Sequence, residues 1–458
     1  MKHFFIFVIT TGVLWIHISC NSKTFDGTYN VLDYGAKGDS IHDDTQAFLD
    51  AIEDAARTGG IVFVPPGKYW VTKTLNLSGI TLKGANEAIR SWFPLNGTVL
   101  LVTAGRGNEN APPFIKMSNA SAVSGVTIFY PEQDVHSVTP YPYTIQIGEK
   151  TQNEGEIFDC TIKDVTLINS YNGIHSGPGE NGRHRIYNVN GCVLRRGIFV
   201  ESVGDVGRIE NVHFHCHYWT DKIKGGDFWK AFDYMQKNLE AFIIGRSDWE
   251  YMANTFVFPA LIGYRFISTE ANKHWKGGPN GQFMGIAADA CGCCIQVDGI
   301  QPMGLLITNG QFNAHLTGDS IQIIIRETCD GNVRFVNCGF WGPVKHNALL
   351  NGTGVTSFSD CYFSSNYYDP AFYSIVAENG KLQIQNCTFD GVYSQTDESQ
   401  NWAYAGNKTM PPSIYLGKNM QHAIIRGNNG YWGVSIRNMI GNKAIISDNE
   451  PPHENETY

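Results

Sequence analysis

Two stretches carry side chains whose types and spacing could do chemistry. In Val212–Trp219, histidines alternate with Phe214, Cys216 and Tyr218. An extended chain puts His213, His215 and His217 on one face and the other three on the opposite face. Imidazoles titrate near neutral pH, so such a strip could supply an acid or base to a sugar in a groove. With Cys291, Cys293 and Cys294 it could instead hold zinc or copper, and the plainer alternative is a solvated strand face. In Arg246–Tyr251, Asp248 and Glu250 stand two residues apart beside Trp249 and Tyr251. Glycoside hydrolysis needs paired carboxylates, and aromatic rings offer sugars a stacking face and shield a carboxyl enough to raise its pKa. A surface turn with an Arg–Asp ion pair is the alternative there.

The region and its flanks also offer Glu201, Asp205, Glu270, Asp289 and Asp298, of which Asp205 reads as a turn residue between Gly204 and Gly207. A lyase would need a base and a cation facing the substrate's carboxylate. Arg183, His184, Arg185, Arg195, Arg196 and Arg208 form a local basic cluster, although outward polar positions on strands are the preferred explanation for them. Trp219, Trp229, Trp249, Trp275 and Trp341 are candidate walls for sugar subsites.

Something must position these groups, and a repeat supplies it. The pattern apolar, any, Asn/Asp/Gly, any, any, apolar recurs at Leu77–Leu82, Val123–Ile128, Ile162–Leu167, Ile209–Phe214, Ile307–Phe312, Phe335–Phe340 and Phe358–Phe363, and in variant form at Leu382–Phe389. Short strands around an Asn-type bend at periods of 20–30 residues signify a parallel β-helix, with Phe312, Phe340, Phe363 and Phe389 stacked in its core. Cys338, Cys361 and Cys387 sit at matching places and read as small buried residues. The repeat lapses from about 218 to 299, which is expected to be a central insertion. Within it Phe228, Phe232, Met235, Leu239 and Phe242 mark an amphipathic helix over Asp227–Phe242.

Residues 1–20 have Lys2 followed by a short uncharged apolar run, the form of a secretory leader, and Cys20 is a possible lipid-attachment site. The expectation is an exported protein: periplasmic, outer-membrane lipoprotein or secreted, touching a membrane only through an anchor at Cys20. A net charge of −9 without a basic block argues against nucleic acid as a partner. The domain is expected to run from 28 to 449, with a flexible tail at 450–458.

The coil begins at Val31–Tyr69: a Gly-rich turn at Gly35–Gly38, Asp43 as N-cap with Gln46 three residues on, a helix to Ala56, and an apolar strand Ile61–Val64 closed by Pro65-Pro66-Gly67. Val31, Asp33, Tyr34, Gly35, Ala36, Gly38, Asp39, Asp43, Asp44, Thr45, Ala47, Gly60, Val62, Val64, Pro65, Gly67 and Tyr69 resemble the N-terminal signature of the pectate lyase superfamily, the rhamnogalacturonase-like right-handed β-helix proteins. The resemblance implies an all-β, single-stranded right-handed parallel β-helix, with the helix of this opening capping its first coil. It also implies carbohydrate chemistry: lyases, glycoside hydrolases, epimerases or tailspike depolymerases. The polygalacturonase series Asn-Thr-Asp, Asp-Asp, Gly-His-Gly is absent, as are the Arg-x-x-Arg motif and calcium-binding Asp cluster of pectate lyases, so no catalytic residue carries over by motif.

The expectation is therefore a glycoside hydrolase cleaving a polysaccharide or oligosaccharide, with a polysaccharide lyase second and a non-catalytic carbohydrate-binding β-helix third. Asp248, Glu250 and His215 are the expected catalytic residues. His213, His217, Trp219, Arg246, Trp249, Tyr251 and Glu270 are the expected sugar contacts. No cofactor or bound metal is expected for hydrolysis, whereas a lyase would be open to calcium.

Overall fold

The computed structural model describes residues 26–88, 95–148, 157–270, 276–314, 320–342, 344–364, 372–390 and 412–453. The leader, Cys20, Trp275 and the end of the tail lie outside the described residues.

The chain winds into a right-handed parallel β-helix. Thirteen parallel strands form a front sheet that begins at Leu75–Leu77 and ends at Ile436–Asn438. Among the described residues a 25-stranded parallel sheet and a two-stranded pair, Ile157–Phe158 with Asn181–Gly182, make up the rest. The larger sheet folds along the Asn-type bend into a side wall, entered from the front sheet, and a back wall that returns to it. The bend residues are left-handed: Asp164, Asn188, Asn211, Asn254, Asn309, Asn337, Asp360 and Asn386 all have φ between 52° and 55°. Asn and Asp tolerate that conformation and bond along the stack, as Asn337 Nδ2 does to Asn309 Oδ1 at 2.7 Å. Inside, Phe312, Phe340, Phe363 and Phe389 stack at 5.3, 5.0 and 4.9 Å, as their spacing predicts. Cys338, Cys361 and Cys387 are buried free thiols beside them.

The first coil meets α1 (Thr45–Ala56), whose Ala47, Phe48, Ala51, Ile52 and Ala55 join the core. Its N-cap is Asp44 rather than Asp43. Asp44 turns its carboxylate back to the Lys37 and Gly38 amides of the Gly-rich turn, while Asp43 accepts from the Thr45 amide at 2.9 Å. Gln46 bonds forward to Asp50 at 2.7 Å, so the capping box does not form.

The central insertion is much shorter than 218–299. Among the described residues a 3-10 turn at Cys216–Tyr218 and α2 (Phe228–Asn238) leave the coil, and Thr269 and Gly277 form an antiparallel bridge beside it; the strands Glu240–Ile244, Glu250–Ala253, Phe256–Phe258, Ile262–Phe266, Gly281–Met284 and Cys293–Val297 are regular rungs. The helix also ends before Phe242. That residue is an inward strand position, stacked between Phe214 at 5.4 Å and Tyr264 at 4.8 Å. One further register differs: Gly79 lies in the turn before the strand Thr81–Gly84, not at the Asn-type bend.

Candidate functional site

The two stretches singled out in the sequence do not share a groove. Gly245–Trp249 is the turn from the front sheet into the side wall, whereas His213–Tyr218 ends the back wall, with α2 and the strand Glu240–Ile244 between them in the chain. Asp248 and Glu250 also part company. Trp249 between them is left-handed (φ 66°), a conformation uncommon for a large side chain. Asp248 therefore points to the surface, 3.2 Å from Arg246 Nη2, and Glu250 turns into the core. There its carboxylate is fully buried, 3.0 Å from His184 Nε2 and 2.8 Å from Ser247 Oγ. Glu250 cannot touch a glycan from that position, and His184 leaves the basic cluster for the interior with it.

Trp219 is corrected too: it is fully buried, its indole N–H donating to the Lys224 carbonyl at 3.1 Å. Trp249 is exposed, Tyr251 lies half-buried under Arg208 at 6.0 Å, and Glu270 is exposed beyond the front sheet's Ile262–Phe266 strand. The three histidine rings do converge, His215 and His217 at 4.4 Å and His213 at 5.6 Å from each. They gather in an aromatic nest in which His215 stacks on Phe258 at 4.6 Å and His213 lies 5.2 Å from Phe256. Burial drives His213 down to about 4 and His215 to about 3, and lowers His217 as well. At neutral pH all three are neutral, and His215 has little basicity to offer as a catalyst. Cys291, Cys293 and Cys294 are buried within the coil, and among the described residues no group of three or more His, Cys, Asp or Glu side chains is arranged to hold a metal ion.

Chemistry gathers instead on the outer face of the front sheet. Its strands alternate regularly: Ile174, Ile198 and Tyr264 point inward, and His175, Phe199 and Arg265 stand outward. Parallel register sets the outward residues in a row, Gln146, His175, Phe199, Ile243, Arg265 and Gln296, one strand spacing apart. Tyr143, Asn172, Arg196 and Glu240 form a second row at the strand starts.

His175 lies flat on Phe199 at 4.7 Å with Tyr143 at 4.7 Å, and its Nε2 is 3.0 Å from Glu201 Oε1. Burial lowers its pKa, against the pull of Glu201, and Arg196 adds to the lowering. Gly177 makes this pair possible, since at φ 139° a Cβ there would sit 2.6 Å from Glu201 Cγ and 3.0 Å from His175 Nε2. The Tyr143 hydroxyl is buried next to the Arg196 guanidinium without a well-formed hydrogen bond, and burial pushes it up to about 12.

Beside these, Arg265 bridges two carboxylates, Nη1 at 2.5 Å from Glu240 and Nε at 2.9 Å from Asp298. Gln296 donates to Asp298 at 2.9 Å, and Arg195 pairs with Glu109 at 2.7 Å. Glu201, Asp298, Arg195 and Arg196 figured among the sequence candidates; Tyr143, His175, Glu240 and Arg265 did not. The available signal was a polar residue between apolar ones, as in Ile145-Gln146-Ile147, Tyr264-Arg265-Phe266 and Ile295-Gln296-Val297.

Comparison with known proteins matches residues 28–96 to the family model described as rhamnogalacturonase A/epimerase, pectate lyase-like. A probable rhamnogalacturonase E of Aspergillus niger is 26% identical over 186 residues, 37% of this chain and 36% of its own. A plasmin and fibronectin-binding protein A of Streptococcus pneumoniae is 31% identical over 170 residues, 33% of this chain and 22% of its own. A mannuronan C5-epimerase of Azotobacter vinelandii is 30% identical over 167 residues, 34% of this chain and 15% of its own. The aligned segments thus span 36% or less of these relatives' lengths. With that opening and the parallel coil built upon it, the chain is similar to the pectate lyase-like superfamily, whose family model matches its residues 28–96.

Proposed function

We propose that the protein cleaves glycosidic bonds in a polysaccharide or oligosaccharide by hydrolysis, on the outer face of the front sheet. The observation that carries this is the convergence of Glu240 and Asp298 on the single guanidinium of Arg265. Retaining and inverting glycosidases work with two carboxyl groups about 5 to 9.5 Å apart, and Arg265 holds Glu240 and Asp298 as neighbours. Both are about a quarter exposed, accessible to a substrate yet partly shielded from water. In this scheme one carboxyl protonates the glycosidic oxygen and the other attacks the anomeric carbon or activates water, while Arg265 fixes their spacing. Relatives named as rhamnogalacturonases agree with hydrolysis.

A second reading is favoured by Tyr143, His175 and Arg196. An unbonded phenol, a neutral imidazole and a guanidinium on one face suit β-elimination from a uronic acid, with Arg196 facing the carboxylate and His175 or Tyr143 moving the proton. Incubation with a glycan panel separates the readings: reducing ends without absorbance near 235 nm mean hydrolysis, and rising absorbance means elimination. Binding without either outcome sinks both and leaves a carbohydrate-binding β-helix. Glu240→Gln and Asp298→Asn test the assignment; full activity in both removes it.

A further inference from the structure

Behind His175 runs a hydrogen-bonded chain buried in the core. Asn181 Nδ2 donates to the carbonyls of Gly179 at 3.0 Å and Glu201 at 2.9 Å. Its Oδ1 is then the acceptor for Ser176 Oγ at 2.8 Å. Because the single hydroxyl proton of Ser176 is spent there, the 3.2 Å contact to His184 Nδ1 must be an N–H donated by the histidine. His184 Nε2 and Glu250 Oε1, 3.0 Å apart, therefore share one proton, and Ser247 closes the chain by donating to Glu250 Oε2. Wherever that proton sits, the pair is neutral overall, which is how a fully buried carboxylate is tolerated.

Apart from the proton shared by His184 and Glu250, the direction of every bond is thus fixed from Glu250 to the backbone of Glu201. Ser176, the inward neighbour of His175 on its strand, is a link in the same chain. From this geometry we infer that Glu250, His184, Ser176 and Asn181 are positioning residues that hold Glu201 against His175 on the sheet's outer face. The inference rests on the front sheet being the reactive face. It reassigns Glu250 from catalyst to support.

The test uses the full chain, with the His175 imidazole followed by NMR, its signal assigned from a His175→Gln variant, alongside cleavage kinetics. Asn181→Ala is expected to shift that signal and lower kcat by up to about 10²-fold with KM little changed. Ser176→Ala, which removes one hydroxyl, covers the case in which Asn181→Ala does not fold. Glu250→Gln should change neither, because a glutamine can donate to His184 Nε2 and still accept from Ser247. An unmoved His175 signal in Asn181→Ala and Ser176→Ala overturns the inference whatever the activity. A moved signal with wild-type kinetics upholds the positioning and counts instead against His175 and Glu201 as part of the site.

Discussion

Two His–Glu pairs lie one on each side of the same sheet. His184–Glu250 and His175–Glu201 have the same 3.0 Å contact, but the first is fully buried and the second keeps 8% of each side chain exposed. Each also depends on a glycine. A Cβ at Gly207 would come within 2.3 Å of His184 and 2.4 Å of Glu250, as one at Gly177 would strike Glu201. The difference is in what surrounds them. The inner pair has every polar atom answered by protein: Ser176 and Ser247 take the remaining positions. The outer pair is flanked by Tyr143, whose hydroxyl makes no well-formed hydrogen bond. Saturated polar groups hold a fold together; unsaturated ones facing outward are available to a ligand. Type and distance alone would not have told the pairs apart.

The largest effect that would sharpen this contrast is on activity. Glu240→Gln or Asp298→Asn should lower kcat by about 10²- to 10⁴-fold with little change in the thermal midpoint, read by reducing-end release. Stability should respond in the opposite place. Glu250→Ala leaves His184 and Ser247 unanswered in the core and is expected to cost about 3–5 kcal/mol in denaturant unfolding, because one member of a buried pair has lost its partner. Glu201→Ala should cost far less; equal losses would dissolve the distinction. Smaller again is Gly207→Ala, at about 1–3 kcal/mol of overpacking. Gly177→Ala should instead separate Glu201 from His175 and show mainly in the rate.

The effect that is absent at neutral pH and emerges only in acid comes from the histidine nest. His213 and His215 have folded pKa values of about 4 and about 3, below their unfolded value, so the unfolded chain binds more protons in the interval between. Stability is therefore complete above about pH 6.5 and is lost as the pH falls towards 4. His215→Phe should flatten that fall in the urea midpoint, and an unchanged slope would show that the nest is open to water.

Much of the coil could be read from residues that repeat. Phe312, Phe340, Phe363 and Phe389 announce their own stacking, and Asn309 and Asn337 their bend. The middle coils were hidden by a coincidence of spacing. Leu239 and Phe242 continue the helical period of α2 although the chain has already turned into a strand, so the next rungs read as insertion. Met252-Ala-Asn254-Thr-Phe-Val257 fits the repeat, and Phe283–Ala288 fits it with Gly285 at the bend and alanine in place of an aromatic residue. The site was harder for another reason. Which side of a strand faces out depends on register with its neighbours, and only that register brings Arg265 to Glu240 and Asp298. Glu250 was misplaced because the left-handed turn at Trp249 breaks the alternation on which its outward position relied.

The stack of phenylalanines has a mechanical consequence. Each ring touches the rung before and the rung after, so the energy of the coil is a chain of nearest-neighbour terms. A gap opened at Phe389 loosens its immediate neighbours and fades along the axis before reaching the rungs that carry Glu240 and Asp298. The last coils can therefore drift in sequence, fray or exchange their turns while the outer face around Arg265 keeps its register, much as one end of a zipper can open without disturbing the teeth at its middle.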